Sequence, residues 1–196
     1  MKRFNCKEIE SSRLIIRPPK LSDAKLMFYN WASDKEVARF LSWTAHDTVA
    51  VTEMIIRLWM YMNDQKQEMN YLIISKETNE PIGSINLSNY DKKSKSIYIG
   101  FCLSKNYWGK GIATEAVKAI LKYTFSYRIK TVYATIDIRN IASSRVLLKN
   151  GFLFDTRKVI WNYHEDDMIP IDVYKISKKD WKKIKWKKKF IGMIRF

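Results

Sequence analysis

Leu103-Ser104-Lys105-Asn106-Tyr107-Trp108-Gly109-Lys110-Gly111-Ile112-Ala113-Thr114-Glu115-Ala116 separates a run of alternating polarity from a run of helical periodicity. Glycines at 109 and 111 remove side chains where a ligand must approach the backbone. The helix predicted to follow offers unpaired amides and the positive end of its dipole. Such a strand-to-helix turn is an anion site suited to a pyrophosphate. One helix terminus contributes only ~0.3–1 kcal/mol to a surface anion, so several amides must converge. Two nucleotide motifs do not fit. A P-loop needs Gly-Lys-Ser/Thr, and Gly111 is followed by Ile112; the dinucleotide fingerprint needs a third glycine near position 114, which is threonine. A lone Gly-x-Gly also serves as plain turn geometry, so the neighbouring stretches must decide.

Working outward, Ile97, Ile99, Phe101 and Leu103 alternate along a strand before the loop, and a helix is predicted from about Ala113 to Tyr127 after it. Upstream, Tyr71-Leu72-Ile73-Ile74 and Ile82 to Leu87 read as strands joined by a turn at Thr78-Asn79-Glu80-Pro81. Arg13-Leu14-Ile15-Ile16-Arg17 reads as an opening strand, stopped by Pro18-Pro19. Ser22-Asp23 offers an N-cap for a helix through Trp31, with Leu26, Met27 and Trp31 on its apolar face. A short helix is expected from Asp34 to Phe40. Asp47 or Thr48 caps another, whose apolar face is Val51, Ile55, Leu58, Trp59 and Met62. Downstream come a strand from Val132 to Ile138 and a helix capped by Asn140 and ended by Gly151. Two last strands cover roughly 152–161 and 169–176. Without repeat or linker, this is one mixed α+β domain, residues 1–176, followed by a basic, aromatic stretch at 177–196.

The 196 residues, 46% hydrophobic and 29% charged, exclude a disordered or low-complexity chain. Lys+Arg outnumber Asp+Glu 36 to 20, a net charge of +16, and the stretch 177–196 holds +8 of it. Such a field attracts nucleic acid, anionic membrane or acidic protein without specifying a fold. Cys6 and Cys102 sit in no metal-ligand or redox spacing, which fits a reducing cytoplasm. The longest apolar run, Met54 to Met62, contains Arg57 and is too short to span a bilayer, so no transmembrane segment is expected. No serine elbow and no Cys-His pairing is visible; Cys102 reads as a small buried strand residue, and His46 and His164 as surface or packing residues. In the last stretch Trp186, Phe190 and Ile194 fall at four-residue spacing, a stripe for a terminal helix packed on the domain.

The loop resembles the pyrophosphate loop of the GNAT N-acetyltransferase superfamily, Gln/Arg-x-x-Gly-x-Gly/Ala. Trp108 to Ala116 is most similar to the branch that includes the ribosomal-protein N-terminal (alanine/serine) acetyltransferases. Arg13 to Arg17 with Ser22-Asp23-Ala24, Asn140 to Leu147 with Gly151-Phe152, and Asp172-Val173-Tyr174 resemble that branch in the same order, so the likeness spans about 11–181.

The resemblance implies a GNAT fold: a mixed, largely antiparallel sheet with a V-shaped splay between the fourth and fifth predicted strands, flanked by helices. It implies acetyl-CoA as co-substrate and direct attack of a primary amine on the thioester. Backbone groups of Phe101, Cys102 and Leu103 would pair with the pantetheine. Trp108, Gly109, Lys110, Gly111, Ile112, Ala113 and Thr114 would hold the pyrophosphate, and Asn140 and Ser143 would approach the pantetheine and thioester. The expected general acid is Ser143 or a nearby tyrosine, with water or another carboxylate taking the amine proton. Two positions depart from the pattern. Asn106 replaces the usual glutamine or arginine, and Tyr98 stands where relatives often carry a glutamate. Losing one general base costs about 10²–10⁴-fold, which slows transfer without abolishing it. An α-amine of pKa ~8 tolerates that loss better than a lysine of pKa ~10.4. The expected acceptor is therefore a protein or peptide N-terminus, with small amines such as polyamines or aminoglycosides, or a catalytically weakened acyl-CoA-binding module, as alternatives. The acceptor cleft is expected from residues 20–62 and 155–172, where Trp31, Trp43, Trp59, Trp161 and Tyr163 lie. A homodimer, and contact of residues 177–196 with ribosome, RNA or another anionic surface, complete the expected partners.

Overall fold

In the computed structural model, residues 6–162 and 165–184 are described. Among them, β1 (Ile9–Glu10), β2 (Leu14–Arg17), β3 (Met69–Ser75), β4 (Pro81–Asp91), β5 (Ser96–Leu103), β6 (Thr131–Asp137), β7 (Leu153–Asn162) and β8 (Asp167–Ser177) form one sheet. Its order is β1-β2-β3-β4-β5-β6-β8-β7. Every neighbouring pair is antiparallel except β5 and β6. A parallel pair needs a long crossover, and the helix α4 (Ile112–Thr124) supplies it. The parallel register covers only Ser96↔Thr131, Ile97↔Val132 and Tyr98↔Tyr133. Beyond it β5 stays with β4 and β6 stays with β8, so the two strands diverge. This is the expected splay; the two-residue β1, which the sequence reading missed, moves it to β5 and β6.

Both faces of the sheet are covered, which is why all seven residues of β3 are buried instead of alternating. On one face α4 packs Ile112, Ala116, Val117, Ile120 and Leu121 against strand residues such as Ile16, Tyr71, Ile85, Ile99 and Val132. On the other, Ala24, Met27, Trp31, Val37 and Ile56 pack against Leu72, Ile74 and Cys102.

Several local expectations shift. The first helical stretch begins one residue earlier than its predicted cap, as a tight turn at Leu21–Asp23 leading into α1 (Ala24–Met27) and a wide turn at Phe28–Ala32. Asp23 is no N-cap. Its carboxylate accepts from the Lys20 amide at 2.7 Å and takes a two-pronged ion pair from Arg17 at 2.8 Å. Leu26, expected on the apolar face, is exposed. Asp34 caps α2 (Lys35–Ala38), shorter than predicted, and Thr48 rather than Asp47 caps α3 (Val49–Asp64).

In α3 the buried face is rotated from the predicted stripe. Thr52 and Ile56 are fully buried, whereas Leu58 is 45% exposed. Polar residues on that face escaped an apolar count, yet each is satisfied. Thr52 Oγ1 lies 2.8 Å from His46 Nδ1, while Asn63 donates to the Asn70 carbonyl (2.9 Å) and accepts from the Asn70 amide (2.7 Å).

After β6, Asn140 caps α5 (Ile141–Lys149) as predicted, accepting from the Ser143 amide at 3.1 Å. Gly151 follows at φ +86°. A Cβ there would lie 2.0 Å from Ile184 Cδ1, so a side chain at 151 would push Ile184 out of its place in the last described turn. That turn, residues 178–184, is helical, with Ser177 Oγ accepting from the Asp180 amide at 3.1 Å. Trp181 rests near the Phe125 ring, at 6.1 Å between centroids. Trp186, Phe190 and Ile194 lie outside the described residues. No helix among the described residues is long and apolar enough to cross a membrane.

The rotated face of α3 makes a paired prediction. Ile56→Ala opens a cavity in a fully buried site and is expected to cost ~2–5 kcal/mol in urea unfolding. Leu58→Ala is expected to stay within about 0.5 kcal/mol of the parent, as surface substitutions do; the reverse ranking would restore the predicted stripe.

Candidate active site

The loop after β5 turns through Lys105–Tyr107, and the Trp108 indole Nε1 donates back to the Leu103 carbonyl at 2.8 Å. Gly109 and Gly111 then take φ +72° and +74°, values at which an L side chain is strained by roughly 1–2 kcal/mol. A Cβ at Gly109 would meet nothing within 4 Å, so the backbone here faces open space. Gly111 is the N-cap of α4, and no side chain caps the helix. The first amide bonded within this turn is that of Glu115, to the Gly111 carbonyl at 3.1 Å. The amides of Ile112, Ala113 and Thr114 therefore point out of the helix end, where an anion gathers them.

Glu115, a carboxylate in that same turn, would oppose an anion were it free. It is not. Its Oε1 accepts from the Ser11 hydroxyl and the Arg13 amide, both at 2.8 Å, and its Oε2 pairs with Arg13 Nε at 2.7 Å. Burial works to raise the Glu115 pKa, but these donors outweigh it and hold it below the usual range. Arg13 also donates to the Lys110 carbonyl at 3.1 Å, tying the loop to the start of the sheet. The sequence reading assigned Arg13 only to a strand. Residues 102 apart leave no local signal of such a tie.

β5 and β6 are parallel, so their ends lie at the same edge of the sheet. The loop Gly109–Thr114 and the α5 start, Asn140–Ser143, follow those ends and flank the splay. Asn150 reinforces this, donating to the carbonyls of Thr114 (3.2 Å) and Val146 (3.0 Å). Asn140 Oδ1 is taken by the cap, which leaves its amide group and the half-buried Ser143 hydroxyl without partners among the described residues. Phe101–Leu103 form the open side of β5, though the Leu103 carbonyl already serves Trp108. Cys102 turns to the α1–α3 face, its sulfur 3.2 Å from the Ser84 hydroxyl. Burial pushes its thiol pKa up, so it is no thiolate nucleophile. Tyr98 stands at the last paired position of the splay, stacked on Tyr133 at 5.4 Å.

A cleft of about 230 Å³ opens on the α1–α3 face of the same strand segment. Trp43 and Trp59 wall it, Asn70, Ser84, Asn86 and Gly100 line its sheet side, and Glu68 is its one carboxylate. Of the tryptophans expected at an acceptor cleft, Trp43 and Trp59 are there. Trp31 is fully buried in the core and Trp161 is 45% exposed on β7, away from the lining. Tyr163 and His164 lie outside the described residues.

His46 is a packing residue, one of the two expected readings, and is buried. Besides its contact to Thr52, its ring lies 5.3 Å from that of Trp43, so it backs one wall of the cleft. Burial lowers its pKa, with Asp47 opposing. The folded state thus favours neutral His46, while the unfolded chain protonates near pH 6.5. The stabilisation is complete above that value and is lost as pH falls through the lower folded pKa. Thermal unfolding is expected to show Tm falling below about pH 6.5, with a shallower slope in His46→Gln; equal slopes would remove His46 as the cause.

A family model described as "Acetyltransferase (GNAT) domain" matches residues 13–153, from the start of β2 into β7. The chain is 30% identical over 168 residues to the "Uncharacterized N-acetyltransferase p20" of Bacillus licheniformis, covering 85% of this chain and 93% of that one. Among solved structures, a GNAT-family acetyltransferase from Bacillus anthracis superposes with a TM-score of 0.78 at 24% identity, over 88% of this chain and 99% of that one. RimL, a ribosomal L7/L12 α-N-protein acetyltransferase in complex with coenzyme A, superposes with a TM-score of 0.76 at 18% identity, over 87% and 98%. The interrupted parallel seam, the glycine loop and the matched sequence agree: this chain belongs to the GNAT family of N-acetyltransferases, which use acetyl-CoA.

Proposed function

We propose that the chain moves the acetyl group of acetyl-CoA to the N-terminal amine of a protein or peptide. The observation that carries the transferase reading is the uncapped start of α4 beside the open edge of β5. That arrangement fits the cofactor: a glycine cradle facing open space, a row of outward amides, and no free carboxylate in the first helical turn. Amides from Gly109 to Thr114 hold the pyrophosphate, with Trp108 and Lys110 flanking it. The backbone of Phe101 and the Leu103 amide face away from β4 and take the pantetheine as a neighbouring strand, the Leu103 carbonyl being already used. Acetyl-CoA supplies the activated acetyl group as a thioester.

Holding amine and thioester together supplies ~7–11 kcal/mol of the barrier reduction. The Ser143 hydroxyl, at the start of α5, protonates the departing sulfur, and the Asn140 amide group steadies the same end of the cofactor. Tyr98 offers no base at the position where relatives often carry glutamate. An N-terminal α-amine, partly neutral near pH 7, suits such a site better than a lysine. The likeness in fold to RimL, named for an α-N-protein substrate, supports the same acceptor class. Residues 177–196, with +8 of the net charge, suit an acceptor presented on an anionic body such as the ribosome.

Coenzyme A release is expected with free-N-terminal peptides and not with their blocked forms. Turnover confined to polyamines or aminoglycosides would overturn the acceptor, and tight coenzyme A binding without any turnover would make the chain a binding module. Ser143→Ala is expected to lower kcat by roughly 10²-fold with the KM for acetyl-CoA little changed; an unchanged kcat removes Ser143 from the proton transfer.

A further inference from the structure

We propose that Glu68 is the residue that receives the acceptor amine: its carboxylate holds the amine as an ammonium ion in the cleft and takes its proton as attack begins. This rests on the transferase reading and supplies the base that Tyr98 does not.

The register of the sheet places it. Asn70, Asn86 and Gly100 form one cross-strand row, and Ser88 pairs with Tyr98 in the next. Glu68 immediately precedes β3 and lines the same cleft as Asn70, Asn86 and Gly100. Continuing the β3 register by one residue sets it level with Ser88, in the row of Tyr98. Two strand spacings, about 10 Å, separate its backbone from that of Tyr98. A carboxylate is thus present on the face of the sheet that Tyr98 shares, across the cleft from the Gly100–Cys102 segment of β5. Between them the Asn86 side chain leans over Gly100, where a Cβ would lie 2.5 Å from Asn86 Oδ1. The glycine thus makes room for the Asn86 amide, a polar group that lines the cleft between Glu68 and the Gly100–Cys102 segment of β5.

Its electrostatics point the same way. The chain carries 36 Lys+Arg, and the partly buried carboxylates Asp23, Glu115, Asp137 and Asp172 each pair with an arginine. Half-buried Glu68 makes no ion pair and no hydrogen bond among the described residues. In so basic a molecule, a carboxylate without a cation of its own, flanked by Trp43 and Trp59, is matched to a cation from outside. The proton balance closes. R–NH3⁺ passes one proton to the Glu68 carboxylate, the freed nitrogen pair forms the C–N bond, and the C–S bond breaks. The attached nitrogen then loses its second proton, which passes through solvent to restore the Ser143 hydroxyl that protonates the sulfur, and Glu68 returns its own to solvent. Each transfer yields amide, thiol and one net proton.

The test is Glu68→Gln in the full chain, with a pentapeptide bearing a free alanine N-terminus as acceptor, from about pH 6 to about pH 10. At pH 7 kcat/KM for the peptide is expected to fall by roughly 10²–10⁴-fold, with the KM for acetyl-CoA unchanged. The loss should shrink as pH rises past ~8, where the α-amine sheds its proton unaided. An undiminished rate, or a loss that is the same at every pH, overturns the proposal. Should the parent show no turnover, the transferase reading fails by itself, and binding still decides on Glu68. Quenching of tryptophan fluorescence by the pentapeptide, its N-acetylated form and spermidine is then compared. The parent is expected to bind the free amines and not the acetylated peptide, and Glu68→Gln to bind none; equal binding by both proteins overturns the proposal. Spermidine bound in place of the peptide would identify a polyamine as the source of the ammonium.

Discussion

Three residue pairs, Ser96 to Tyr98 against Thr131 to Tyr133, make the whole parallel register of β5 and β6, and the splay between these strands exists because the pairing stops there. Each strand is drawn away by a longer antiparallel partnership, β5 with β4 and β6 with β8. An unpaired strand edge in a protein interior is costly unless something bonds to it. Here the opening is bordered on one side by a glycine loop feeding a helix and on the other by the capped start of α5. The proposed cofactor site is thus an edge of the sheet that the fold declines to complete, with donors collected where the strands part.

The contribution of the N-terminal residues follows from that constraint. A helix end that gathers amides for an anion must keep its own acid out of the way. Arg13, Ser11 and the Arg13 amide do so by saturating Glu115. The same arginine reaches the Lys110 carbonyl, so the loop is tied to the start of β2, three places from β5 in the sheet. An exposed pair of this type is worth little in stability, and its value lies in where it holds the backbone.

What could be read from the chain alone follows the range of the interaction involved. The glycines at 109 and 111, the Asn140 cap and the alternating strands are local signals, and they located the family, the fold and the loop. The misses have two physical sources. Polar residues on buried faces, such as Thr52 and Asn63 in α3, disturb an apolar count although each is satisfied by a distant partner. Interactions made only by the fold, Arg13 with Glu115 and Glu68 in the row of Tyr98, join elements whose proximity depends on strand order and register. His46 combines both: an isolated polar residue in sequence, it is buried against Thr52 and Trp43 in space. Charge is the reverse case. The +16 was plain from composition, but its division between a cofactor-binding body and residues 177–196 depends on where the fold ends.

The docking of Ile184 against Gly151 and of Trp181 beside Phe125 has a geometric consequence. Phe125 and Gly151 follow the C-terminal ends of α4 and α5, whose N-terminal ends border the splay. Thirteen residues of α4 at 1.5 Å each put about 20 Å between the two ends. The chain therefore leaves its last described turn on the side of the sheet remote from the reacting centre. A partner gripped at that last described turn would stand about 20 Å from the splay, and its acceptor end would need about six extended residues ahead of its folded part to reach across.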